Sequence, residues 1–193
     1  MKKRIGVLAL QGDFFLHLKT LEKLQIPCKP VRRPADLSKC DALILPGGES
    51  TTFMNLMRRT GLKEAVRAFG QDKPLMGTCA GLIVLATDVV NHPIDPLGLI
   101  DIRVERNAYG RQIDSFSDRI RVPIFSSKPE VEAVFIRAPK ILSLGPDTET
   151  LGFHGDQAVM VRNPRVLAAT FHPELTRDRR IHEYFYREFV ERT

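Results

Sequence analysis

The stretch from Lys73 to Ala86, KPLMGTCAGLIVLA, decides the fold. Its first apolar run, Pro74 to Met76, is typical of the end of a buried strand, and its last, Leu82 to Ala86, is typical of a helix start. Between them the residues from Gly77 to Gly81 form the pattern G-x-C-x-G. This pattern is the cysteine form of the nucleophile elbow, a strand-to-helix turn that holds its central residue in strained backbone geometry.

The elbow makes Cys79 a candidate nucleophile. Glycines two places to either side are required because a Cβ there would collide with neighbouring backbone. We expect the turn to push Sγ into the open at the carboxyl end of a strand and at a helix N-terminus, where free N–H groups favour the thiolate. The alternative is a buried structural thiol beside a tight turn.

Length and composition bound the class of protein. The 193 residues are 43% hydrophobic and 27% charged, as in ordinary globular proteins. Without a linker or internal repeat, one domain over residues 1–193 is expected. Three cysteines without metal-type spacing predict no metal site and favour the cytoplasm. No apolar run approaches the ~18 residues of a membrane helix. The net charge of +6 is scattered, which argues against nucleic-acid binding.

The hydrophobic pattern predicts an α/β fold. Apolar runs at 5–10 and 41–45 are typical of buried parallel strands. A helical repeat follows each, over 14–24 and from Ser50 to Met57, with Ser50 or Thr51 as the N-cap. This alternation is typical of an open, mostly parallel sheet.

From Gly98 onward the hydrophobic pattern changes to alternating apolar and polar residues. Strands are expected at 99–106, 120–122, 131–136, 157–162 and 166–171. Their spacing predicts antiparallel ribbons that extend the sheet. A last helix over 181–190 would turn Ile181, Phe185 and Phe189 inward.

A thiol nucleophile needs a base, and the chain has five histidines: His17, His92, His154, His172 and His182. His17 and His182 lie in predicted helices, where a surface or interface role is the default. His172 ends an apolar run and precedes Pro173-Glu174. In extended chain, residues i and i+2 face the same side, so His172 and Glu174 would project together, and the carboxylate would fix the imidazole tautomer. The predicted triad is Cys79, His172 and Glu174; the alternative is that His-Pro-Glu merely ends a strand.

Acyl transfer also needs an oxyanion hole. The elbow supplies the N–H of Ala80. The loop Pro46-Gly47-Gly48-Glu49-Ser50 follows a predicted parallel strand, and its glycines can point N–H groups inward. A plain turn is the alternative.

Six blocks, in chain order, resemble the class I (triad-type) glutamine amidotransferases, and among them the glutaminase subunits of two-component pyridoxal 5'-phosphate synthases. The blocks are LALQGD (8–13), LPGGEST (45–51), GTCAG (77–81), ERNAYGRQIDSF (105–116), FIRAP (135–139) and FHPELT (171–176). The resemblance implies a flavodoxin-like three-layer fold, a mostly parallel central sheet with an antiparallel extension.

The resemblance also implies an activity, the hydrolysis of L-glutamine to L-glutamate and ammonia. Cys79 would form a thioester, His172 would move the protons, Glu174 would orient His172, and Gly48 and Ala80 would hold the oxyanion. The substrate-binding residues it implies are Gly47, Gly48, Glu49, Arg106, Ile136 and Arg137. From the residues alone, both arginines could instead be surface charges at strand ends.

The implied partner is a (β/α)8 synthase subunit, in a large hetero-oligomer, that takes up the ammonia. Pyridoxal phosphate is then the product of the complex, and this chain needs no cofactor. Gln11 and its loop are a candidate part of the docking surface, with a structural turn as the alternative. A rearrangement of the Gly47-Gly48 peptide on docking is a further hypothesis.

Three rival interpretations stay open. A cysteine hydrolase or thiol chaperone can use the same elbow. A glutaminase of another pathway, such as the imidazole glycerol phosphate synthase type, shares the triad. A non-catalytic binding module would need a broken triad, and no predicted member is missing.

Overall fold

A computed structural model describes residues 2–91, 94–106 and 115–192. His92 and residues 107–114, most of the ERNAYGRQIDSF block, lie outside the described residues. The strands are β1 (Ile5–Leu8), β2 (Cys28–Val31), β3 (Ala42–Leu45), β4 (Leu75–Thr78), β5 (Ala86–Val90), β6 (Ile100–Glu105), β7 (Ser115–Arg121), β8 (Glu130–Ile136), β9 (Lys140–Leu144), β10 (Glu149–His154), β11 (Gln157–Arg162) and β12 (Val166–Ala169). The helices are α1 (Phe14–Lys23), α2 (Pro34–Leu37), α3 (Ser50–Arg59), α4 (Leu62–Asp72), α5 (Ala80–Leu85) and α6 (Arg180–Phe185).

Nine strands form the central sheet, in the order β2-β1-β3-β4-β12-β11-β10-β7-β8. The pairings from β2 to β12 are parallel. Those from β12 to β8 are antiparallel. The predicted parallel sheet with an antiparallel extension is therefore confirmed.

Helices cover both faces of this sheet because its central strands are apolar on both sides. In β3, Ala42 and Ile44 join the core beneath α1 and α6, whereas Leu43 and Leu45 join the core beneath α3, α4 and α5. Side chains of a strand alternate between faces, so a continuous apolar run such as ALIL serves two cores at once. The predicted three-layer arrangement follows from this alternation.

The strand predictions need correction at two places. The spacing predicts β12 in an antiparallel ribbon, and β12 does pair antiparallel with β11, but it pairs parallel with β4 on its other side, so it is the strand at which the sheet changes from parallel to antiparallel. The pattern predicts none of β5, β9 and β10. Strands β5, β6 and β9 form a second, three-stranded sheet, whose apolar residues Ile102, Val104 and Ile141 pack on the α3–α5 side.

The last helix has the predicted inward face: Ile181, Phe185 and Phe189 are buried. It runs as α6 and continues as a π-helical segment, Tyr186–Glu191. Among the described residues, no helix is long and apolar enough to cross a membrane.

Four loops meet at one edge of the sheet. They follow β1, β3, β4 and β12, which are neighbouring parallel strands with their carboxyl ends on the same side. In open α/β sheets the ligand site lies at this edge.

Candidate active site

Cys79 stands at the tip of a sharp turn between β4 and α5. Its backbone has φ 48° and ψ −104°, a region that a residue with a Cβ rarely adopts. A Cβ on Gly81 would come within 2.0 Å of the carbonyl oxygen of Leu45, and one on Gly77 within 2.7 Å of the carbonyl carbon of Gly81. The predicted elbow, and the need for both glycines, are confirmed.

The expectation of an open thiol is wrong. Cys79 is only 5% exposed. Its Sγ lies 3.8 Å from the carbonyl oxygen of Ile136, the last residue of β8. Strand β8 belongs to the antiparallel extension, whose position could not be read from the elbow itself. The thiol is therefore in the wall of a cavity, where water has restricted access.

His172 and Glu174 form a buried hydrogen-bonded pair beside Cys79. Nδ1 of His172 lies 2.7 Å from Oε1 of Glu174, and both residues are buried. The predicted reason for their meeting needs correction. Glu174 is not in extended chain, because Pro173–Leu175 forms a 3-10 turn directly after His172. The tight turn, not a shared strand face, brings the carboxylate back to the imidazole.

The contacts of this pair favour its charged form. Burial alone would lower the pKa of His172, but its contacts with Cys79 and Glu174 outweigh burial and raise the pKa to about 10. Burial would raise the pKa of Glu174, but His17 and His172 hold it well below its usual range. The pair is therefore an imidazolium–carboxylate pair beside the thiol over the physiological pH range.

His17 and His182 are not surface residues, contrary to the expectation from their helices. Both are fully buried. His17 Nε2 lies 3.3 Å from Oε2 of Glu174 and 3.2 Å from Oγ1 of Thr78, and its Nδ1 lies 2.9 Å from Nε2 of His182. The apolar repeat of α1 is present as predicted, but the period marks only Phe14, Leu18 and Leu21. Because His17 lies three residues after Phe14 and four before Leu21, the helical phase is the signal that could have shown its inward direction.

The loop after β3 closes over His172. Gly47 is buried, and a Cβ on it would lie 2.2 Å from Cε1 of His172. Gly48 has φ 135°, and a Cβ there would lie 2.4 Å from Oε1 of Gln11. Gln11 in turn accepts a hydrogen bond from the N–H of Glu49 (3.3 Å). The loops after β1 and β3 are thus packed against each other at this edge of the sheet.

Glu49 caps helix α3, which corrects the predicted cap at Ser50 or Thr51. Its carboxylate accepts hydrogen bonds from the N–H groups of Thr51 (3.1 Å) and Thr52 (2.7 Å). Burial would raise the pKa of Glu49, but these N–H groups lower it to about 2. A guanidinium nitrogen of Arg106 donates to Oε1 of Glu49 at 2.8 Å. Arg106 is therefore held at the site and is not a free surface charge.

A cavity of about 260 Å³ lies between these elements. The predicted residues that line it are Gly48, Glu49, Cys79, Arg106, Ile136, Arg137 and His172, joined by Asp13, Ser50 and Ile83. Arg137 has φ 42°, a strained backbone conformation for a residue with a Cβ. The volume is below the ~300–1,000 Å³ of sites for drug-sized ligands, so the cavity suits a small molecule.

One group of possible metal ligands, Asp13 with His172 and Glu174, occurs among the described residues. Nδ1 of His172 already bonds Oε1 of Glu174, and Oδ2 of Asp13 is 3.9 Å from the same nitrogen. Their polar atoms are directed at each other, so we assign no metal here.

Known proteins with similar sequences can be compared with this site. The model of the SNO glutamine amidotransferase family matches residues 7–191. The chain belongs to this family. The predicted resemblance to glutamine amidotransferases is thereby confirmed, and it separates the chain from the thiol-chaperone interpretation.

Individual relatives match over nearly the whole chain. Pyridoxal 5'-phosphate synthase subunit PdxT of Thermosipho africanus is 50% identical over 183 residues, 94% of this chain and 96% of that protein. The protein of the same name from Thermus thermophilus is 48% identical over 188 residues, 96% of this chain and 97% of that protein.

Solved structures support the fold. A glutamine amidotransferase crystal structure superposes with a TM-score of 0.88 and 46% identity, covering 95% of this chain and 97% of that one. The PurLQS structure from Thermotoga maritima has a TM-score of 0.68 at 16% identity, covering 90% of this chain and 89% of that one, and shows the shared fold alone.

Proposed function

We propose that the chain, acting as one domain over residues 1–193, is the glutaminase subunit of a pyridoxal 5'-phosphate synthase. It hydrolyses L-glutamine to L-glutamate and ammonia. The observation that carries the proposal is the placement of the elbow residue Cys79 and the His172–Glu174 pair at one small cavity. The relatives' name supplies the pathway.

In the first half of the reaction the thiolate of Cys79 attacks the side-chain amide carbon of glutamine. The carbonyl oxygen gains negative charge, and the N–H groups of Gly48 and Ala80 hold it. Ala80 is the first residue of α5, and the first N–H groups of a helix have no partner within the helix. The imidazolium of His172 gives its proton to the leaving nitrogen, ammonia departs, and a thioester to Cys79 remains.

In the second half, neutral His172 takes a proton from water, and the hydroxide attacks the thioester carbon. The carbon–sulfur bond breaks, L-glutamate leaves, and Cys79 and His172 return to the charged pair. Glu174 stays ionised throughout, because it holds His172 in one tautomer and stabilises its positive form. The net reaction adds one water and releases one ammonia.

The charges around the cavity suit the other end of glutamine, which carries both an ammonium and a carboxylate. Arg106 and Arg137 provide positive charge, and Asp13 and Glu49 negative charge. The guanidinium of Arg106, which donates from Nη2 to Glu49 and from Nη1 to Thr51, binds the α-carboxylate through its remaining N–H groups. Gly47 and Ile136 complete the binding surface through their backbone.

The partner is the (β/α)8 synthase subunit, joined in a large hetero-oligomer in the cytoplasm, which receives the ammonia. Pyridoxal phosphate is then the product of the complex, and the glutaminase works without a cofactor. The alternative of a glutaminase for another acceptor pathway is less well supported, because the relatives quoted above carry the synthase name.

Gln11 connects docking to the oxyanion hole. Its side chain lies against Gly48 and accepts from the N–H of Glu49, and its Nε2 is buried without an acceptor among the described residues. A partner that supplies this acceptor would move Gln11 and allow the Gly47-Gly48 peptide to reorient. Gln11→Ala should therefore weaken both synthase binding and activation, measured by calorimetry and by glutamate release. Unchanged binding and activation would remove Gln11 from the docking surface.

The test of the proposed function is glutamate release from glutamine, measured with and without the synthase subunit. Strong activation by the partner, abolished in Cys79→Ala, is expected. Cys28→Ala is the matched control, since Cys28 lies in β2 outside the cavity. High activity that does not respond to the synthase would retain the thioester chemistry and reject the pathway. No glutamate release under either condition would reject the glutaminase proposal.

A further inference from the structure

Two buried histidines behind the triad have no part in the mechanism above. His17 lies in α1 and His182 in α6, on the same face of the sheet, and both are fully buried. Their surroundings are the apolar core that includes Leu21, Ile181 and Phe185. Burying two imidazoles in such a core opposes folding unless their nitrogens find partners.

The contacts of these histidines form a chain that ends on the triad. Nε2 of His182 meets Nδ1 of His17 at 2.9 Å, and Nε2 of His17 lies 3.3 Å from Oε2 of Glu174. Oε1 of the same carboxylate binds His172. Oε2 accepts no well-aligned hydrogen bond from the described residues, so the imidazole of His17 is the polar group that faces it.

His17 also touches the strand that carries the nucleophile. Its Nε2 lies 3.2 Å from Oγ1 of Thr78, the residue immediately before Cys79 and fully buried. One imidazole thus bridges the last residue of β4 and the carboxylate of the 3-10 turn after β12. Both halves of the triad are fixed to α1 through this one side chain.

The tautomer of His17 follows from its neighbours. An ionised carboxylate can only accept hydrogen bonds, so a lone pair on Nε2 would face the lone pairs of Oε2. The hydrogen therefore belongs on Nε2. Nδ1 of His17 and Nε2 of His182 share one hydrogen bond, which leaves Nε2 of His17 to face Glu174 and Thr78. Burial, with His17 as a second cause, lowers the pKa of His182 to about 3, which keeps His182 neutral.

We propose that His17 is a positioning residue for the glutamine hydrolysis inferred above: its Nε2–H group holds Glu174 against His172 and fixes Thr78 beside the nucleophile. The inference rests on the proposed function for its role in turnover, but its geometric part concerns Cys79 and His172 alone. Without the Nε2–H group, Oε2 of Glu174 would be a buried anionic oxygen with no facing donor. The carboxylate would then hold the imidazolium of His172, and through it the thiolate, less well.

Two amide variants separate a positioning role from simple packing. Nε2 of His17 is four bonds from Cα, and so is Nε2 of glutamine, whereas the amide nitrogen of asparagine is three bonds away. His17→Gln therefore keeps an N–H donor near Oε2 and Thr78, and His17→Asn does not. His154→Asn is the matched control, because His154 contacts Asp118 outside the cavity.

The first readout is the pH dependence of Cys79 alkylation by iodoacetamide, which needs neither glutamine nor the partner. In His17→Asn the pH midpoint should rise by about one unit, the shift that a tenfold loss of thiolate stabilisation gives. In His17→Gln and the His154 control it should stay near the wild-type value. The charged and titratable groups that face the triad are Asp13, His17, Glu49, Arg106, Arg137 and His182.

The second readout is glutamine hydrolysis by the complex with the synthase subunit. His17→Asn should lower kcat about tenfold, the loss expected when a buried charge loses the polar group that faces it, with KM nearly unchanged. His17→Gln should recover most of kcat. Melting temperatures are measured for each variant; if His17→Asn does not fold, His17→Met, which has no donor, replaces it.

Equal effects of the two amides on both readouts, or no effect of either, would overturn the inference. A wild-type complex without glutaminase activity would instead reject the proposed function. The alkylation midpoints would still decide the role of His17, so the two failures are distinguishable.

Discussion

At the scale of single residues, the site depends on how closely backbone approaches reactive side chains. Gly47 contacts the imidazole of His172 so closely that no Cβ fits between them. Gly81 allows the elbow to lie against the carbonyl oxygen of Leu45 in the same way. These contacts are made by different loops, so each glycine fixes one loop relative to another.

Gly47→Ala should lower glutaminase activity on the order of 100-fold while the protein still folds. The added Cβ would displace His172, and a misplacement of about 1 Å costs on the order of 100-fold in rate. Kinetics in the presence of the synthase subunit, with circular dichroism as the check of folding, would test this. Gly155→Ala is the control: its Cβ meets nothing within 4 Å, although φ 57° makes it strained. Full activity in Gly47→Ala would mean that the loop moves away easily.

Arg106→Lys should raise KM for glutamine about tenfold and leave kcat within a few-fold. A lysine ammonium cannot keep Glu49 and bind the carboxylate of the substrate with two parallel N–H groups at once. Steady-state kinetics of the complex with the synthase subunit would measure both constants. Arg103→Lys, in the preceding strand β6 but exposed and paired with Asp88, should change neither constant. An unchanged KM in Arg106→Lys would remove Arg106 from the substrate site.

At the scale of elements, helix α3 shows how one side chain serves both the fold and the site. Glu49 is the N-cap of α3 and also the partner of Arg106. A carboxylate at a helix N-terminus meets the free N–H groups and the positive end of the helix dipole. The cap therefore fixes the direction in which α3 leaves the catalytic edge.

Glu49→Ala should lower the free energy of unfolding by about 1 kcal/mol, the usual size of a lost N-cap. The carboxylate is half-exposed, so the loss of its ion pair with Arg106 should add little to this decrease in the free energy of unfolding. Because the folded state lowers the pKa of Glu49 to about 2, its contribution is present above the unfolded value of 4.5 and lost as the pH falls. Urea unfolding at pH 7 and pH 3 would test this. If the free energies of unfolding of wild type and variant differed by the same amount at both pH values, the prediction would be contradicted.

At the scale of the whole molecule, the charged His172–Glu174 pair links stability to pH in two directions. The pKa of Glu174 is lowered on folding, so its contribution exists above pH 4.5 and is lost in acid. The pKa of His172 is raised to about 10, so its contribution is complete below pH 6.5 and is lost as the pH rises toward 10. Both contributions are complete only between about pH 4.5 and 6.5.

The difference in free energy of unfolding between wild type and Glu174→Gln should therefore be largest in this window. It should shrink below pH 4.5, because Glu174 of the unfolded chain then binds a proton, and shrink again above pH 6.5, because His172 of the unfolded chain then loses its own. Urea unfolding across pH 3–10 would measure it. Arg119→Gln, which removes an exposed ion pair with Glu130, is a control that should show a small, nearly constant difference. If the difference in free energy of unfolding between wild type and Glu174→Gln did not change with pH, the charges assigned to His172 and Glu174 would be contradicted.

The sequence by itself determined the parallel strands, their helices and the elbow, and it predicted the residues of the proposed triad. These features are local: an apolar run of ALIL requires two covered faces, and glycines around Cys79 require a tight turn. The family could also be predicted from the sequence, because its motifs are short blocks that occur in chain order, and the family model matches residues 7–191. Most residues of the cavity lie at or just after the ends of strands that the pattern predicts, whereas Ser50 and Ile83 lie in helices.

Only the tertiary structure decided which of these pieces meet. The second sheet escaped prediction because β5 follows α5 without a turn residue and β9 carries no regular alternation. Burial of Cys79 depends on β8, more than fifty residues away, and the contact of His17 with Glu174 joins positions 17 and 174. Such contacts depend on the packing of distant elements, which local periodicity does not encode. The proposed nucleophile and its base could therefore be predicted from the sequence, whereas the buried residues behind them were decided by the fold.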